Sequence, residues 1–251
     1  MRRILLSLLL ILPAHIIFSQ VNIRDSSAVI PVFQMSFGVY APVGDMAENY
    51  GANFSVGGSF FVKTKKNNIW GFDGDFLFGG NVKDEDAILE RISTEQGWVI
   101  DVYGFPATIS IYERGFRLTL KGGKLIPVFG PNPNSGLLIT LGAGYMQHRT
   151  RIENTEKTVP QIQDDYEKGY DRLCGGPALN QFIGYMHLGN NRTVNFIAGI
   201  DLTQAWTSSL RPYDFNLMGK DESGKFDMLF GLKVAWMVPI YRKAPDQYYY
   251  Y

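Results

Sequence analysis

The chain has 251 residues, room for one large domain or two small ones. Its 24 Lys and Arg balance 24 Asp and Glu, which excludes a global field that would gather nucleic acid or anionic lipid. A single cysteine excludes an intramolecular disulfide scaffold, while 14% aromatics and 27 glycines suit close-packed strands and interfacial girdles.

The first predicted element is a secretory signal. Arg2 and Arg3 precede an apolar run over residues 4–12, Pro13 breaks it, and Ser19-Gln20 marks the expected cut. Residues 1–19 are expected to be removed, which leaves 22 basic residues against 24 acidic ones. Residues 20–30 then form an N-terminal segment. Residues 31–241 hold eight stretches that alternate with period two, as strands do when one face differs from the other.

The first stretch, VFQMSFGVYAPVG, sets Phe33, Met35, Phe37, Val39 and Ala41 against Gln34, Ser36, Gly38 and Tyr40. The second, NFSVGGSFFVK, sets Phe54, Val56, Gly58, Phe60 and Val62 against Ser55, Gly57, Ser59, Phe61 and Lys63. The third, NIWGFDGDFLFG, sets Trp70, Phe72, Gly74, Phe76 and Phe78 against Gly71, Asp73, Asp75 and Leu77. The fourth, ATISIYERGFRLTLKGG, changes phase: Ile109 and Ile111 are odd, while Phe116, Leu118 and Leu120 are even. A bulge at Arg114-Gly115 would reset the faces and turn Arg117, Thr119 and Lys121 inward. The fifth, GLLITLGAGYMQHRT, turns Leu137, Ile139, Leu141, Ala143 and Tyr145 out. The sixth, LCGGPALNQFIGYMHL, is the least regular, with Gln181 on the face of Leu179 and Ile183; Cys174 reads as a small wall residue. The seventh, VNFIAGIDLT, sets Val194, Phe196, Ala198, Ile200 and Leu202 against Asn195, Ile197, Gly199, Asp201 and Thr203. The eighth, KFDMLFGLKVAWMVPIY, keeps every even position from Phe226 to Ile240 apolar and puts Asp227 and Lys233 on the other face.

Such strands exceed the length of about 5–6 residues usual in soluble sheets and reach the roughly 9–11 needed to cross a bilayer. The connectors also sort. Those on the side of the termini (KTKKNN, LIPVFGPNPNS and GNNRT) are mostly short; those on the other side are mostly long. The expected fold is all-β: an eight-stranded, antiparallel, up-and-down transmembrane β-barrel of the outer-membrane type, in contact with outer-membrane lipids, both termini periplasmic. Trp70, Tyr185, Trp236 and Tyr241 would mark one interface, and Tyr145 and Trp206 the other.

An eight-stranded barrel is filled by its own side chains. The inward charges Asp73, Asp75, Arg117, Lys121, Asp201, Asp227 and Lys233 are expected to form an ion-pair network, because buried charges persist only when paired. A wide channel is not expected. His148, in QHRTR with Thr150 close, is expected near the long-loop rim as a polar interfacial residue. No G-x-S-x-G, H-E-x-x-H or phosphate-cradling glycine loop occurs, so neither enzyme activity nor a cofactor nor a metal is expected. The acidic run DEDAILERISTE reads as a solvated loop with a turn or two of helix. In the tail RKAPDQYYYY, residues 242–251, the aromatic end suits partner docking, a signal for the insertion machinery, or a disordered extension.

The segment YDRLCGGPALNQFIGYMHLGNNRTVNFIAGIDLTQAWTSSLRPYDF, residues 170–215, resembles the PorG-type barrels of the type IX secretion system of Bacteroidota. Tyr170-Asp171-Arg172, Gln181-Phe182-Ile183-Gly184-Tyr185, Asn191-Arg192, Asn195-Phe196, Gly199 and Arg211 carry the resemblance, with the signal ending in Ser-Gln and the turn at Gly44-Asp45. It implies a structural component that contacts the periplasmic ring of PorK lipoprotein and PorN. By topology, the contact surface would comprise Lys65, Lys66, Asn132, Pro133, Asn191 and Arg192, with Arg242, Lys243, Tyr248 and Tyr251 of the tail. The alternatives are a barrel of another class: a minor pore, a surface adhesin or a lipid A-modifying enzyme.

Overall fold

A computed structural model describes residues 26–83, 85–190 and 193–241. The expected signal, residues 1–19, and the tail from Arg242 onward lie outside the described residues, as do Asn191 and Arg192.

Eight strands form the wall: β1 (Ile30–Gly44), β2 (Asn53–Lys63), β3 (Asn68–Gly79), β4 (Ser110–Ile126), β5 (Gly136–Glu153), β6 (Cys174–Leu188), β7 (Asn195–Ser209) and β8 (Gly224–Pro239). Each pairs antiparallel with the next, and β8 pairs with β1 to close the barrel. Closure removes every sheet edge, the condition for a β structure to sit in hydrocarbon. Three short turns and both described chain ends lie at one mouth, here the turn mouth. At the opposite, loop mouth lie the other four connections, three of them longer than any at the turn mouth, with the short helices α1 (Met46–Asn49) and α2 (Glu85–Leu89). Gly44 turns the chain out of β1 at φ 70°, where a Cβ would stand 2.3 Å from the Phe226 carbonyl oxygen.

The outer wall is apolar. Met35 is 71% exposed, Leu120 73%, Leu141 65% and Leu232 64%, which an aqueous surface would penalise and acyl chains would not. From Phe33 to Val43, at about 3.4 Å per residue and a tilt of about 40°, the apolar face of β1 is about 26 Å tall, the height of an outer-membrane hydrophobic band. Phe33, Phe60 and Phe72 make one row of neighbouring rings across β1–β3, and Phe37, Phe54 and Phe78 another. Trp70 and Trp236 are exposed toward the turn mouth, and Trp206 and Tyr145 toward the loop mouth.

The expected bulge in β4 is absent. Pairing runs unbroken from Ser110↔Glu153 to Ile126↔Leu137 on one side and from Asn68↔Lys124 to Gly79↔Glu113 on the other. Odd residues point inward throughout, so Ile111 is buried in the lumen and Glu113 with it. What changes along β4 is the lumen, not the phase: apolar Ile111 faces it at the loop end, and Glu113, Arg117 and Lys121 face it further in.

Candidate functional site

The lumen is filled in layers. Toward the turn mouth, Ile30, Val32, Phe61, Ile69, Leu125, Leu138, Met186, Leu188 and Met237 form an apolar cluster. Phe182 belongs to it and lies over the facing pair Gly184 and Gly199, where a Cβ would stand 2.5 and 2.7 Å from its ring. Below this cluster, Lys63 is fully buried, its Nζ donating to Asn134 Oδ1 at 2.9 Å, Ser27 Oγ at 2.9 Å and the Ala28 carbonyl at 3.3 Å. Residues 26–29 thus line the turn mouth, and β1 begins at Ile30.

The middle layer is ionic. Arg117 Nη2 lies 2.6 Å from Asp75 Oδ2 and 3.0 Å from Asp201 Oδ2, and Arg117 Nη1 donates to Thr203. Lys121 Nζ lies 2.6 Å from Asp73 Oδ1, and Lys233 Nζ lies 3.0 Å from Asp75 and 3.7 Å from Asp73. Tyr40 donates to Asp201 at 2.9 Å and Asn180 to the other oxygen at 2.8 Å. Three carboxylates from β3 and β7 therefore face three cations from β4 and β8. A cavity of about 20 Å³ beside them, lined by Gln34, Thr140 and Ala235 among others, has room for about one water.

Asp227 stands apart from this network. It meets His148 Nε2 at 2.9 Å and accepts from Thr207 Oγ1 at 2.5 Å, nearer the loop mouth. His148 is 4% exposed and points into the lumen, not out at the rim. The odd residues of β5 face lipid at its centre, and His148 is even. Glu113, the acid that the expected bulge obscured, is fully buried and takes both oxygens to Asn53 Nδ2, at 2.9 and 3.0 Å.

A second apolar cluster closes the loop mouth: Met46, Tyr50, Leu77, Ile88, Val99, Ile111, Met146, Ile152, Ile162, Tyr170 and Leu229. Its members come from the strand ends and from the β1–β2, β3–β4 and β5–β6 connections, so the loops pack inward as a lid. They are cross-linked. Asp171, fully buried, is gripped by both Arg211 Nε, at 2.8 Å, and Arg211 Nη2. That bond to Asp171 holds the Arg211 guanidinium above its ordinary value. Tyr170 packs on Phe215 with ring centroids 4.9 Å apart, and Phe215 N–H donates to the Gly169 carbonyl at 3.0 Å. Asn216 reaches the Ala87 and Ile88 carbonyls of α2 at 3.2 and 3.1 Å. Tyr170, Asp171 and Arg211, three of the residues that carry the family resemblance, meet in this lock.

At the turn mouth, Lys65 and Lys66 are exposed and Pro133 is half-buried. Asn132 is corrected as a contact residue: it is 7% exposed, its amide donating to the Leu188 carbonyl at 2.7 Å and its oxygen accepting from Asn134 N–H at 2.9 Å. An inward-folded turn consumes the side chain. The feature that topology alone did not single out is Phe129, 98% exposed at φ 56°, its carbonyl accepting from Tyr185 Oη at 2.8 Å.

A closed eight-stranded wall with an apolar belt outside and paired charges inside is that of a small outer-membrane β-barrel. Neither a protein-family model nor a curated protein matches the chain. Among solved structures, Ail, the attachment invasion locus protein of Yersinia pestis, is similar at 10% identity and TM-score 0.40, covering 84% of this chain and 99% of Ail. Neisserial surface protein A is similar at 13% identity and TM-score 0.38, covering 82% and 96%. The N-terminal barrel domain of Pseudomonas aeruginosa OprF is similar at 13% identity and TM-score 0.34, covering 83% and 97%. The architecture itself rests on the strand ladder and the side-chain distribution above.

Proposed function

We propose that this outer-membrane barrel is a structural assembly component of type IX protein secretion, its turn mouth facing the periplasm and docking on the ring of PorK lipoprotein and PorN. One observation carries the exclusion of transport through the barrel: the lumen is occupied by two apolar clusters with a charge-balanced layer between them. Function then falls to the two mouths. The resemblance of residues 170–215 supplies the secretion system, and the placement of Phe129 favours the turn mouth. A phenyl ring held at positive φ costs about 1–2 kcal/mol of backbone strain and is 98% exposed among the described residues. Lys65 and Lys66 stand on the same mouth, and Asn191, Arg192, Arg242, Lys243, Tyr248 and Tyr251 complete the proposed contact set.

The reading includes no enzyme activity. The His148 ring is turned into the lumen against Asp227. A second reading, binding at the cell surface, is favoured by the β3–β4 loop tip, where Trp98, Tyr103 and Phe105 are 56%, 73% and 68% exposed.

One experiment separates the two. Tagged protein is pulled from detergent-solubilised membranes and its partners are identified by mass spectrometry, comparing Phe129→Ser with Lys65→Glu and Lys66→Glu against Tyr103→Ser with Phe105→Ser. Loss of PorK and PorN with the first set alone is the expected result. Retention of both with the first set, or no PorK or PorN with the native chain, refutes the assembly reading.

A further inference from the structure

Three arginines gather on the outer wall just beyond the hydrophobic belt at the loop mouth. Even residues of β4 and odd residues of β5 face outward, which turns out Arg114, Arg149 and Arg151. Arg114 directly faces Arg149 in the β4–β5 ladder, and Tyr112 faces Arg151. The Arg114 guanidinium lies 5.0 Å from the centroid of the Tyr112 ring. Together the three arginines line an open recess of about 210 Å³ whose other walls include Phe76, Phe116 and Leu173.

The local charge is poorly balanced. Arg114 donates to the Glu113 carbonyl, a neutral acceptor, at 2.8 Å. Arg149 approaches Asp171 at 3.5 Å, but Arg211 already grips both oxygens of that carboxylate. Arg151 lies 3.9 Å from Glu153, with both side chains nearly half exposed. Like charges directly opposite across a ladder destabilise it. A wall that keeps such a pair beside apolar surface gains if an anion sits between the guanidiniums.

We infer that this recess binds a phosphate monoester on the headgroup of a membrane lipid of the lipid A type, with the acyl chains lying down the Phe76–Phe116 wall. Three planar forks suit a phosphoryl group, which takes paired N–H donors better than a point charge does. The adjoining aromatic wall selects an amphiphile over a free anion. Phe116 and Tyr145, with ring centroids 6.2 Å apart, border the belt at this level, so the arginines stand where headgroups begin. The inference rests on the membrane placement of the belt and on the proposed orientation, loop mouth toward the outer leaflet, and is independent of the secretion assignment.

The test uses the full chain, refolded or extracted, in nanodiscs of neutral lipid. Binding of lipid A is compared for the native chain, the triple variant Arg114→Gln, Arg149→Gln, Arg151→Gln, and the triple variant with lysines at the same positions. The glutamine variant is expected to bind at least about tenfold more weakly, the lysine variant to fall between, and dephosphorylated lipid A to bind all three alike. Arg114→Gln alone is expected to raise the urea midpoint without lipid A and to lower it when lipid A is present, a reversal that a purely structural arginine would not give. Equal binding by native and glutamine chains, tight binding of dephosphorylated lipid, or no reversal of the midpoint overturns the inference. Competition by inorganic phosphate at the concentration at which lipid A saturates would make this a free-anion site and overturn the lipid assignment. If the glutamine triple variant does not fold, the lysine variant decides: affinity unchanged from the native chain refutes the role of the forks.

Discussion

Replacing Arg117 with methionine removes the cation that joins β4 to β3 and β7 across the lumen. Its side chain is 1% exposed and touches both Asp75 and Asp201. After the change, Asp73, Asp75 and Asp201 face only Lys121 and Lys233. Breaking a buried pair by deleting one partner costs about 3–5 kcal/mol, because the other charge is left without compensation. The geometry argues for the lower end. Asp201 keeps Tyr40 at 2.9 Å and Asn180 at 2.8 Å, and Asp75 keeps Lys233 at 3.0 Å and Ser36 at 3.2 Å. The expected loss is about 3 kcal/mol. Adding Asp201→Asn restores two acids against two bases and keeps a polar group beside Tyr40 and Asn180; it should recover about 2 kcal/mol of that loss. Urea unfolding in lipid vesicles, read by tryptophan fluorescence and checked by heat-modifiable gel mobility, measures both. A single-variant loss under about 1 kcal/mol, or a double-variant loss equal to the sum of the singles, refutes the account of the middle layer as a coupled network.

The other predictions are simpler to read. Gly199→Ala would place a Cβ 2.4 Å from the Gly184 Cα and 2.7 Å from the Phe182 ring; a cost above about 2 kcal/mol is expected in the same unfolding assay, while Gly80→Ala, with nothing within 4 Å, should be silent. Asp171→Asn strips the Arg211 fork of its carboxylate, and limited proteolysis should then cut the connections at 154–173 and 210–223 faster while the strands stay protected. At Asp221, a burial effect that pushes the carboxyl up is outweighed by hydrogen bonds from Lys225 and Ser223, which bring it down to about 2. Its contribution is present above the ordinary 3.8 and is lost as pH falls through about 2; a carboxyl titration by NMR with a midpoint near 4 would contradict this. In planar bilayers the native chain should give no stepwise conductance, and steady steps would contradict the closed lumen.

How much of this the sequence made readable depends on which surface a residue meets. Lipid is one uniform partner, so the outward faces of β1 to β3 and β5 to β8 could be read by alternation alone. The lumen is not uniform. Ile109 and Ile111 looked outward because they are apolar, yet they pack beneath the loop lid, where the interior is apolar too. Reading them outward demands a bulge at Arg114-Gly115 and leaves Glu113 and the outward arginines without an assigned face. Alternation also carries no height along the barrel axis. Asp227 and Lys233 share a face of β8, but six residues, about 20 Å along the strand, separate them. Asp227 therefore meets His148, and Lys233 meets Asp75. The Asp171–Arg211 lock joins residues 40 apart through irregular loops, and periodicity is silent on such pairings.

That silence about height gives the middle layer a second role. The outer face has period two, so sliding β8 past β1 by two residues would still present apolar side chains to lipid and polar ones to the lumen. Hydrophobic burial barely separates the two registers. The charges do. A two-residue slip moves Lys233 by about 6.8 Å along the strand, which takes its ammonium out of the 3.0 Å contact with Asp75. It also shifts Asp227 away from His148 on β5, while Thr207, on the adjoining β7, moves with it. Each lost contact leaves a buried charge unpaired, a penalty of several kcal/mol. β1 and β8 are the strands most distant in sequence, and no turn fixes their alignment. The closing seam therefore depends on Lys233 reaching β3 across the lumen, and Lys233→Met should slow formation of the heat-resistant barrel more than a comparable change on the outer wall, such as Leu232→Ala.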